Sequence, residues 1–122
     1  MNRYTTVGAI CVALSLLAAC AGPIESRTRL PMTDAQIQTV QNSVTHNFKD
    51  PNSAQFRKLR WFENRHADGT ISNTVCGEVN AKNSFGGFVG FSPFAGRMNG
   101  GQFVLYGVAR PGSIAFNSLC PV

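Results

Sequence analysis

Long apolar runs, clustered metal ligands and repeated segments are all scarce in this 122-residue chain. The longest apolar run, residues 7–19, has about 13 residues, whereas a helix that spans a bilayer needs roughly 20. Cysteine and histidine occur only four and two times, and no C-x-x-C or H-x-x-x-H spacing is present, so the sequence predicts no metal site. Internal repeats and low-complexity tracts are absent too, which excludes a repeat architecture.

Catalytic signatures are also missing. The sequence contains neither a G-x-S-x-G nucleophile elbow nor a G-x-x-x-x-G-K-[ST] phosphate loop, and its two histidines are the only imidazole bases for a nucleophilic triad. Glu78 paired with Glu63 or Asp68 would supply an acid and a base for glycan cleavage, but a contact of Glu78 with Lys82 or a strand neighbour is the simpler interpretation. We therefore predict no catalytic residues, no cofactor and no enzyme activity.

The first 20 residues combine a basic start at Arg3, the apolar run and the sequence Leu-Ala-Ala-Cys at residues 17–20. This pattern resembles a bacterial lipoprotein signal peptide, whose lipobox ends in an invariant cysteine. The resemblance implies that residues 1–19 are removed, that Cys20 is acylated, and that its lipid attaches the protein to a membrane. Because no Asp follows Cys20, it also implies an outer-membrane location facing the periplasm. An ordinary secretory signal peptide, cut after an Ala-x-Ala-like site, is the alternative.

Removal of residues 1–19 leaves 103 residues, enough for one domain, with ten basic and six acidic side chains. This net charge of +4 suits anionic lipid, peptidoglycan or an acidic protein, and equally suits solubility alone. Nucleic acid is not expected as a partner. Residues 57–65 hold the one basic cluster of the sequence, and an exported protein meets little nucleic acid.

The remaining cysteines predict a disulfide. Cys11 lies in the removed segment and Cys20 carries the lipid, so Cys76 and Cys120 are left as a thiol pair in an oxidising compartment. In the chain-entropy model, a bridge that closes a loop of about 45 residues stabilises the fold by about 4 kcal/mol.

The mature chain divides into a tether and a domain. Residues 20–32 include two prolines and few large apolar side chains, so we interpret them as a lipidated tether, followed by a single globular domain at residues 33–122. A capping-box pattern at residues 33–36 predicts the start of a helix. Four apolar residues then recur at spacings of 3, 4 and 4, which defines one helix face: Ile37, Val40, Val44 and Phe48.

That spacing predicts an amphipathic helix of about 15 residues, ending near Lys49 because the next residue, Asp50, precedes a proline. Polar residues, including Thr45 and His46, are expected on its solvent face. Alternating or aromatic-rich segments predict strands at residues 56–62, 71–81, 103–108 and 113–116.

The segments between these strands are assigned to turns and loops. Residues 64–70 carry the chemistry of a hairpin turn, Gly77 suggests a bulge, and residues 92–101 predict an irregular loop with a turn at Asn99-Gly100. The expected fold class is α+β, with one N-terminal helix packed on a four- or five-stranded antiparallel sheet.

Two segments resemble a recurring pattern in small exported bacterial lipoproteins: residues 49–56 (KDPNSAQF) and residues 75–88 (VCGEVNAKNSFGGF). The resemblance extends over roughly residues 34–94. It implies a shared fold and an exported location, and it implies no activity.

The polar turn in the second segment is the best candidate for a binding surface, and it lies beside aromatic residues spaced by glycines. The candidate binding residues are Asn80, Lys82, Asn83, Ser84, Gly86 and Gly87. Their side chains offer amides, an ammonium and a hydroxyl, and the glycines would expose backbone N–H groups to an anion or a peptide carbonyl. The alternative is that they only satisfy a tight turn.

The expected function is therefore that of a non-enzymatic envelope lipoprotein that binds another envelope component, a protein. One alternative is a lysozyme inhibitor that inserts a residue such as Lys82 into an acidic cleft. A second alternative is a cell-wall glycan hydrolase that uses Glu78.

Overall fold

A computed structural model describes residues 21–121, so the predicted signal peptide and Cys20 lie outside the described residues. The elements within that range are β1 (Ile24–Leu30), α1 (Asp34–Thr45), a 3-10 turn (Pro51–Ser53), β2 (Gln55–His66), β3 (Ile71–Asn80), β4 (Ser92–Asn99) and β5 (Gln102–Val108). The strands form one antiparallel sheet in the order β1-β2-β3-β4-β5. The predicted α+β class is confirmed, but the helix is not N-terminal, because β1 precedes it. Within residues 21–121, no helix has both the length and the apolar character to cross a bilayer.

The edge strand β1 occupies most of the segment predicted to be a tether. Residues 24–30 pair antiparallel with residues 61–66 of β2, and the tether prediction for residues 20–32 is corrected accordingly. Pro23 and Pro31 flank the strand, so they remove no hydrogen bond from its ladder. An edge strand pairs with a neighbour on one side only. Three of the seven residues of β1 are half buried, and the other four are exposed.

α1 begins with the predicted capping box. Thr33 Oγ1 accepts a hydrogen bond from the Gln36 N–H (3.3 Å), and the Thr33 N–H donates to Gln36 Oε1 (2.9 Å). The helix ends at Thr45, earlier than predicted, where the Phe48 N–H donates to the Thr45 carbonyl (2.9 Å) and the chain turns back toward the sheet. Thr45 does not face solvent as predicted: it is buried, and its hydroxyl donates to the Gln41 carbonyl (2.9 Å).

The core lies between α1 and one face of the sheet. Its buried apolar side chains are Val40, Val44, Val75, Val79, Phe94, Met98 and Phe103. The predicted helix stripe is confirmed, since Val40 and Val44 are at most 2 % exposed and Phe48 packs against the cluster, while Ile37 is half buried. Burial of this stripe supplies much of the hydrophobic stabilisation that holds the helix on the sheet.

Two glycines make room for the largest core rings. A Cβ atom at Gly77 would lie 2.5 Å from the Phe94 ring, and one at Gly96 would lie 2.3 Å from the Phe103 ring. Gly77 therefore marks a close approach and not the predicted bulge. The register shift lies in the facing strand instead, between residues 57 and 60 of β2.

Residues 92–99 form the strand β4, where the sequence predicted an irregular loop. Phe94 and Met98 are buried on the helix-facing side, in the period of two that a strand requires. Pro93 near the start of the strand and a glycine between the two apolar residues hid this period in the sequence. The turn predicted at residues 99–100 lies one residue further along, at residues 100–101, because Asn99 ends β4 and pairs with Gln102.

The C-terminal segment, residues 109–121, consists of turns, and the strand predicted at residues 113–116 does not form. It lies on the sheet face opposite α1, because Cys76 alternates in β3 with core residues. Cys76 is disulfide-bonded to Cys120, with a Cα–Cα distance of 5.8 Å, which confirms the predicted pair.

Two arginines of the sheet hold the C-terminal segment by its carbonyl groups. Arg27 of β1 donates to the carbonyls of Leu119 (2.7 Å) and Ser118 (2.9 Å), and Arg60 of β2 donates to the Pro121 carbonyl (2.6 Å). Hydrogen bonds from a charged donor are stronger than neutral ones. The disulfide and these arginines together fix the segment on the sheet.

Candidate functional site

The six residues predicted to bind a partner lie together at one end of the sheet. Asn80 is the last residue of β3, and the other five belong to the connection between β3 and β4, which we define as the distal loop (residues 81–91). A β-bridge between Lys82 and Phe88 joins the two arms of the loop. The Lys82 N–H also donates to Ser53 Oγ (2.9 Å), so the loop is attached to the body of the domain at its base.

The tip of the distal loop is a tight turn closed by Asn83. The Gly86 N–H donates to the Asn83 carbonyl (3.0 Å), and the Asn83 N–H donates to the Gly87 carbonyl (2.9 Å). Asn83 Oδ1 accepts two more bonds, from the N–H groups of Phe85 (2.9 Å) and Gly87 (3.2 Å). Gly86 has a φ of 78°, a left-handed conformation that completes this three-residue hairpin turn.

These bonds correct the roles predicted for four of the six residues. The N–H groups of Gly86 and Gly87 are used inside the turn, so they do not point free toward an anion or a peptide carbonyl as predicted. Asn80 Oδ1 accepts the Gly90 N–H (3.1 Å), and Asn83 Oδ1 closes the tip. The structural interpretation therefore applies to both asparagine side-chain oxygens and to both glycines.

The distal loop exposes three apolar side chains beside its polar ones. Phe85 at the tip is 97 % exposed, and Phe88 and Val89 are about half exposed. The Lys82 ammonium lies 5.7 Å from the centroid of the Phe88 ring, within the range of a cation–π contact, and Ser84 is exposed beside Phe85. The sequence placed these aromatic residues beside the site without including them in it.

A charged cluster stabilises the base of the distal loop. Glu78 of β3 forms an ion pair with Arg57 and a longer one with Lys58, whose Nζ lies 3.6 Å from Glu78 Oε1. The Arg57 guanidinium also lies over the Phe91 ring, 3.8 Å from its centroid. The predicted contact of Glu78 with a strand neighbour is confirmed, since Arg57 is its partner across the β2–β3 ladder.

The sheet separates the carboxylates that the sequence offered as an acid–base pair. Glu63 lies opposite Asn73, five positions along β3 from Glu78, which is about 16 Å at 3.3 Å per residue. Carboxyl pairs that cleave glycosidic bonds lie about 5–9.5 Å apart. Asp68, in the β2–β3 turn, is further from Glu78 still. The geometry therefore does not assemble the pair that glycan hydrolysis needs.

Comparison with protein-family models finds no match, and comparisons with curated proteins and with solved structures find none either. Function is therefore inferred from the residues of this chain. Among the described residues, the distal loop combines the most exposed aromatic side chain, Phe85, with a backbone fixed by hydrogen bonds. Such an arrangement is suited to binding.

Proposed function

We propose that this protein is a non-enzymatic lipoprotein of the cell envelope that binds a partner protein through the distal loop. The observation that carries the proposal is the 97 % exposure of Phe85 on a turn fixed by the hydrogen bonds of Asn83. A phenyl ring exposed to water gains free energy when it enters an apolar pocket. A loop that is already ordered loses little conformational entropy on binding, so more of that gain contributes to affinity.

The chemistry of the distal loop defines the partner. Phe85 requires an apolar pocket, and Phe88 with Val89 would contact the apolar rim around it. Lys82, beside Phe88, would meet an acidic group at the edge of that pocket. The partner is thus a protein with an apolar pocket and an acidic margin.

The two alternative functions fit this geometry less well. A lysozyme inhibitor would place a cation at the tip of the loop, but the tip residue is Phe85, and Lys82 lies back along the arm against Phe88. A glycan hydrolase would need a second carboxylate near Glu78, which is paired with Arg57 instead. A lysozyme protection assay and a zymogram on cell-wall substrate test the two alternatives directly.

Photocrosslinking tests the proposed binding surface. A photoreactive phenylalanine analogue at position 85 should capture one envelope protein in living cells, whereas the same analogue at position 114 should not. Ile114 is a control of high exposure, 77 %, that belongs to the C-terminal segment and not to the distal loop. With the captured protein purified, Phe85→Ser should weaken binding by about tenfold or more, and Ile114→Ser should leave it unchanged. Equal behaviour of the two variants would contradict the proposal.

Lipid attachment at Cys20 is the second part of the proposal. Residues 17–20 fit a lipobox, and the absence of Asp at position 21 favours an outer-membrane location facing the periplasm. Cys20→Ser should abolish palmitate incorporation and leave an uncleaved precursor, because processing depends on the modified thiol. If the Cys20→Ser variant is cleaved as efficiently as the wild type, the protein is not a lipoprotein.

A further inference from the structure

The first described residues are tied to the turn between β2 and β3. The Gly22 N–H donates to Asp68 Oδ2 (3.2 Å), the Ala67 N–H donates to the Pro23 carbonyl (2.9 Å), and His66 Nδ1 donates to the Gly22 carbonyl (2.6 Å). We call these three hydrogen bonds the clamp. They hold the chain at Gly22 and Pro23, just before the first residue of β1.

The clamp is supported from within the sheet. His66 is 8 % exposed, and its Nε2 is hydrogen-bonded to the Ser72 hydroxyl (2.7 Å). Asp68 Oδ1 is held in turn by the N–H (2.9 Å) and the hydroxyl (2.6 Å) of Thr70. The side chains that hold Gly22 are therefore fixed by bonds of their own.

The clamp leaves almost no tether between the proposed lipid and the domain. Two peptide units connect position 20 to Gly22, and since consecutive Cα atoms are about 3.8 Å apart, this connection can span at most about 8 Å. A lipid on Cys20 therefore brings the β2–β3 turn to the level of the headgroups. The short β4–β5 turn at Gly100-Gly101 lies at the same end, because Asn73 near the start of β3 exchanges two hydrogen bonds with the backbone of Met98.

The distal loop lies at the opposite end of the sheet. β3 runs from Ile71 beside the clamp to Asn80 at the base of the distal loop, and ten residues of strand span about 30 Å. Exposed side chains of both charge signs lie toward the clamped end, namely Glu25, Arg65, Asp68 and Arg97. The orientation of the domain therefore follows from the short connection to the lipid and not from charge.

We infer that the end of the sheet formed by the β2–β3 and β4–β5 turns is a membrane-contact surface, and that the distal loop projects about 30 Å away from that membrane. This inference rests on the proposed lipidation of Cys20. It sharpens the proposed partner, whose binding pocket must lie at that height above the bilayer and not at its surface.

Fluorescence quenching by headgroup-labelled lipid tests the orientation. Two single reporters, Gln102→Cys at the clamped end and Ser84→Cys in the distal loop, are labelled without reductant so that the native disulfide is kept. Both positions are exposed, and neither side chain makes a hydrogen bond within residues 21–121. In vesicles carrying the full lipidated protein and nitroxide-headgroup lipid, quenching at position 102 should exceed that at position 84 severalfold.

A lengthened tether provides the control. Ten Gly/Ser residues inserted between Ala21 and Gly22 leave the bonds of the clamp in place but add a flexible segment with an average span of about 17 Å, so quenching at position 102 should fall toward that at position 84. Equal quenching of the two reporters in the parent protein, or no effect of the insertion, would overturn the orientation. Protein that does not associate with vesicles at all would overturn the lipid anchor itself, and with it the orientation.

Discussion

Side-chain oxygens close the turns at both ends of the sheet, Asp68 at the clamped end and Asn83 in the distal loop. In each turn, a side-chain oxygen accepts the N–H of the residue two positions ahead at 2.9 Å, which is Thr70 in one case and Phe85 in the other. The Thr70 hydroxyl returns to the same carboxylate, whereas the Phe85 ring extends into solvent.

The difference lies in what each closed turn leaves on the surface. At the clamped end, Asp68 and His66 form hydrogen bonds with Thr70 and Gly22, and these bonds hold Gly22 on the domain. In the distal loop, the same kind of turn leaves the Phe85 side chain exposed, without a role in packing. The residues that close a turn therefore do not identify a binding site. The side chain that the turn exposes identifies it.

The largest expected effect tests whether the two ends belong to one cooperative unit. Val44→Asp buries an unpaired charge in the shared core and should lower the free energy of unfolding by about 3–5 kcal/mol, with both ends losing structure together. Gln38→Asp, on the exposed face of α1, should change it by less than about 0.5 kcal/mol. Denaturant unfolding followed by probes at positions 102 and 84 measures both effects. Separate transitions at the two probes would show that the ends are independent.

Removal of the disulfide should have the next largest effect. Cys76→Ser with Cys120→Ser should cost about 2–4 kcal/mol, because the reduced unfolded chain regains the entropy of the open loop. Cys76 lies in the middle of β3, so both ends should be destabilised alike. In periplasmic protein, the two wild-type cysteines should resist alkylation until reductant is added, and free thiols there would contradict the pairing.

Asn83→Ala should separate stability from binding at the distal loop. The variant leaves the N–H groups of Phe85 and Gly87 without their acceptor, yet both are exposed to water, so the cost in stability should be about 1 kcal/mol or less. Partner affinity should fall although Phe85 is still present, because the ring loses its fixed direction. Asn83→Asp, which keeps an acceptor oxygen, should retain more affinity than Asn83→Ala, and Gln102→Ala at the clamped end should have no effect. Full affinity in Asn83→Ala would remove the role of the ordered turn.

The smallest expected effect is a dependence of the free energy of unfolding on pH. It should come from the clamped end and not from the distal loop. The hydroxyl of Thr70, followed by the N–H groups of Thr70 and Gly22, lowers the pKa of Asp68 from 3.8 to about 2. A lowered pKa means that the ionised carboxylate favours the folded state, so this contribution is complete above about pH 4 and is lost as the pH falls through about 2. The amide of Asn83 does not titrate, so the distal loop should lack this dependence.

The corresponding measurement compares wild type with Asp68→Asn. Their difference in free energy of unfolding should be constant above about pH 4 and should shrink toward pH 2. A difference that does not change with pH over this range would show that the Asp68 carboxylate gives no net support to the clamp.

Short-range patterns accounted for the parts of the fold that the sequence predicted correctly. The capping box, the stripe of Val40 and Val44, and the pairing of Cys76 with Cys120 depend on residue spacing or on a count of thiols. β1 was missed because an edge strand needs few apolar residues. β4 was missed because glycine is typical of loops, and Gly96 interrupts the apolar pattern. In the structure, the Phe103 ring of β5 occupies the space that a side chain at position 96 would take.

The candidate site shows the same limit. Its position followed from turn-forming residues, but the sequence assigned Gly86, Gly87 and Asn83 to a ligand when they bond to one another. Phe85 was not selected because phenylalanine is usually buried, and its exposure reflects that no element within residues 21–121 covers it. Which groups a turn uses internally is a three-dimensional property that composition does not carry.

The hydrogen bonds of Arg27 to the C-terminal segment join two parts of the chain that are far apart in sequence. Arg27 donates to the carbonyls of Ser118 and Leu119, 91 and 92 positions further along the chain. If the chain crosses a membrane with its amino end first, β1 emerges early and waits for these contacts until nearly all the residues between have followed. Until then β1, one of the two edge strands, lacks the hydrogen bonds of Arg27 to residues 118–119, so folding would be completed after translocation rather than during it.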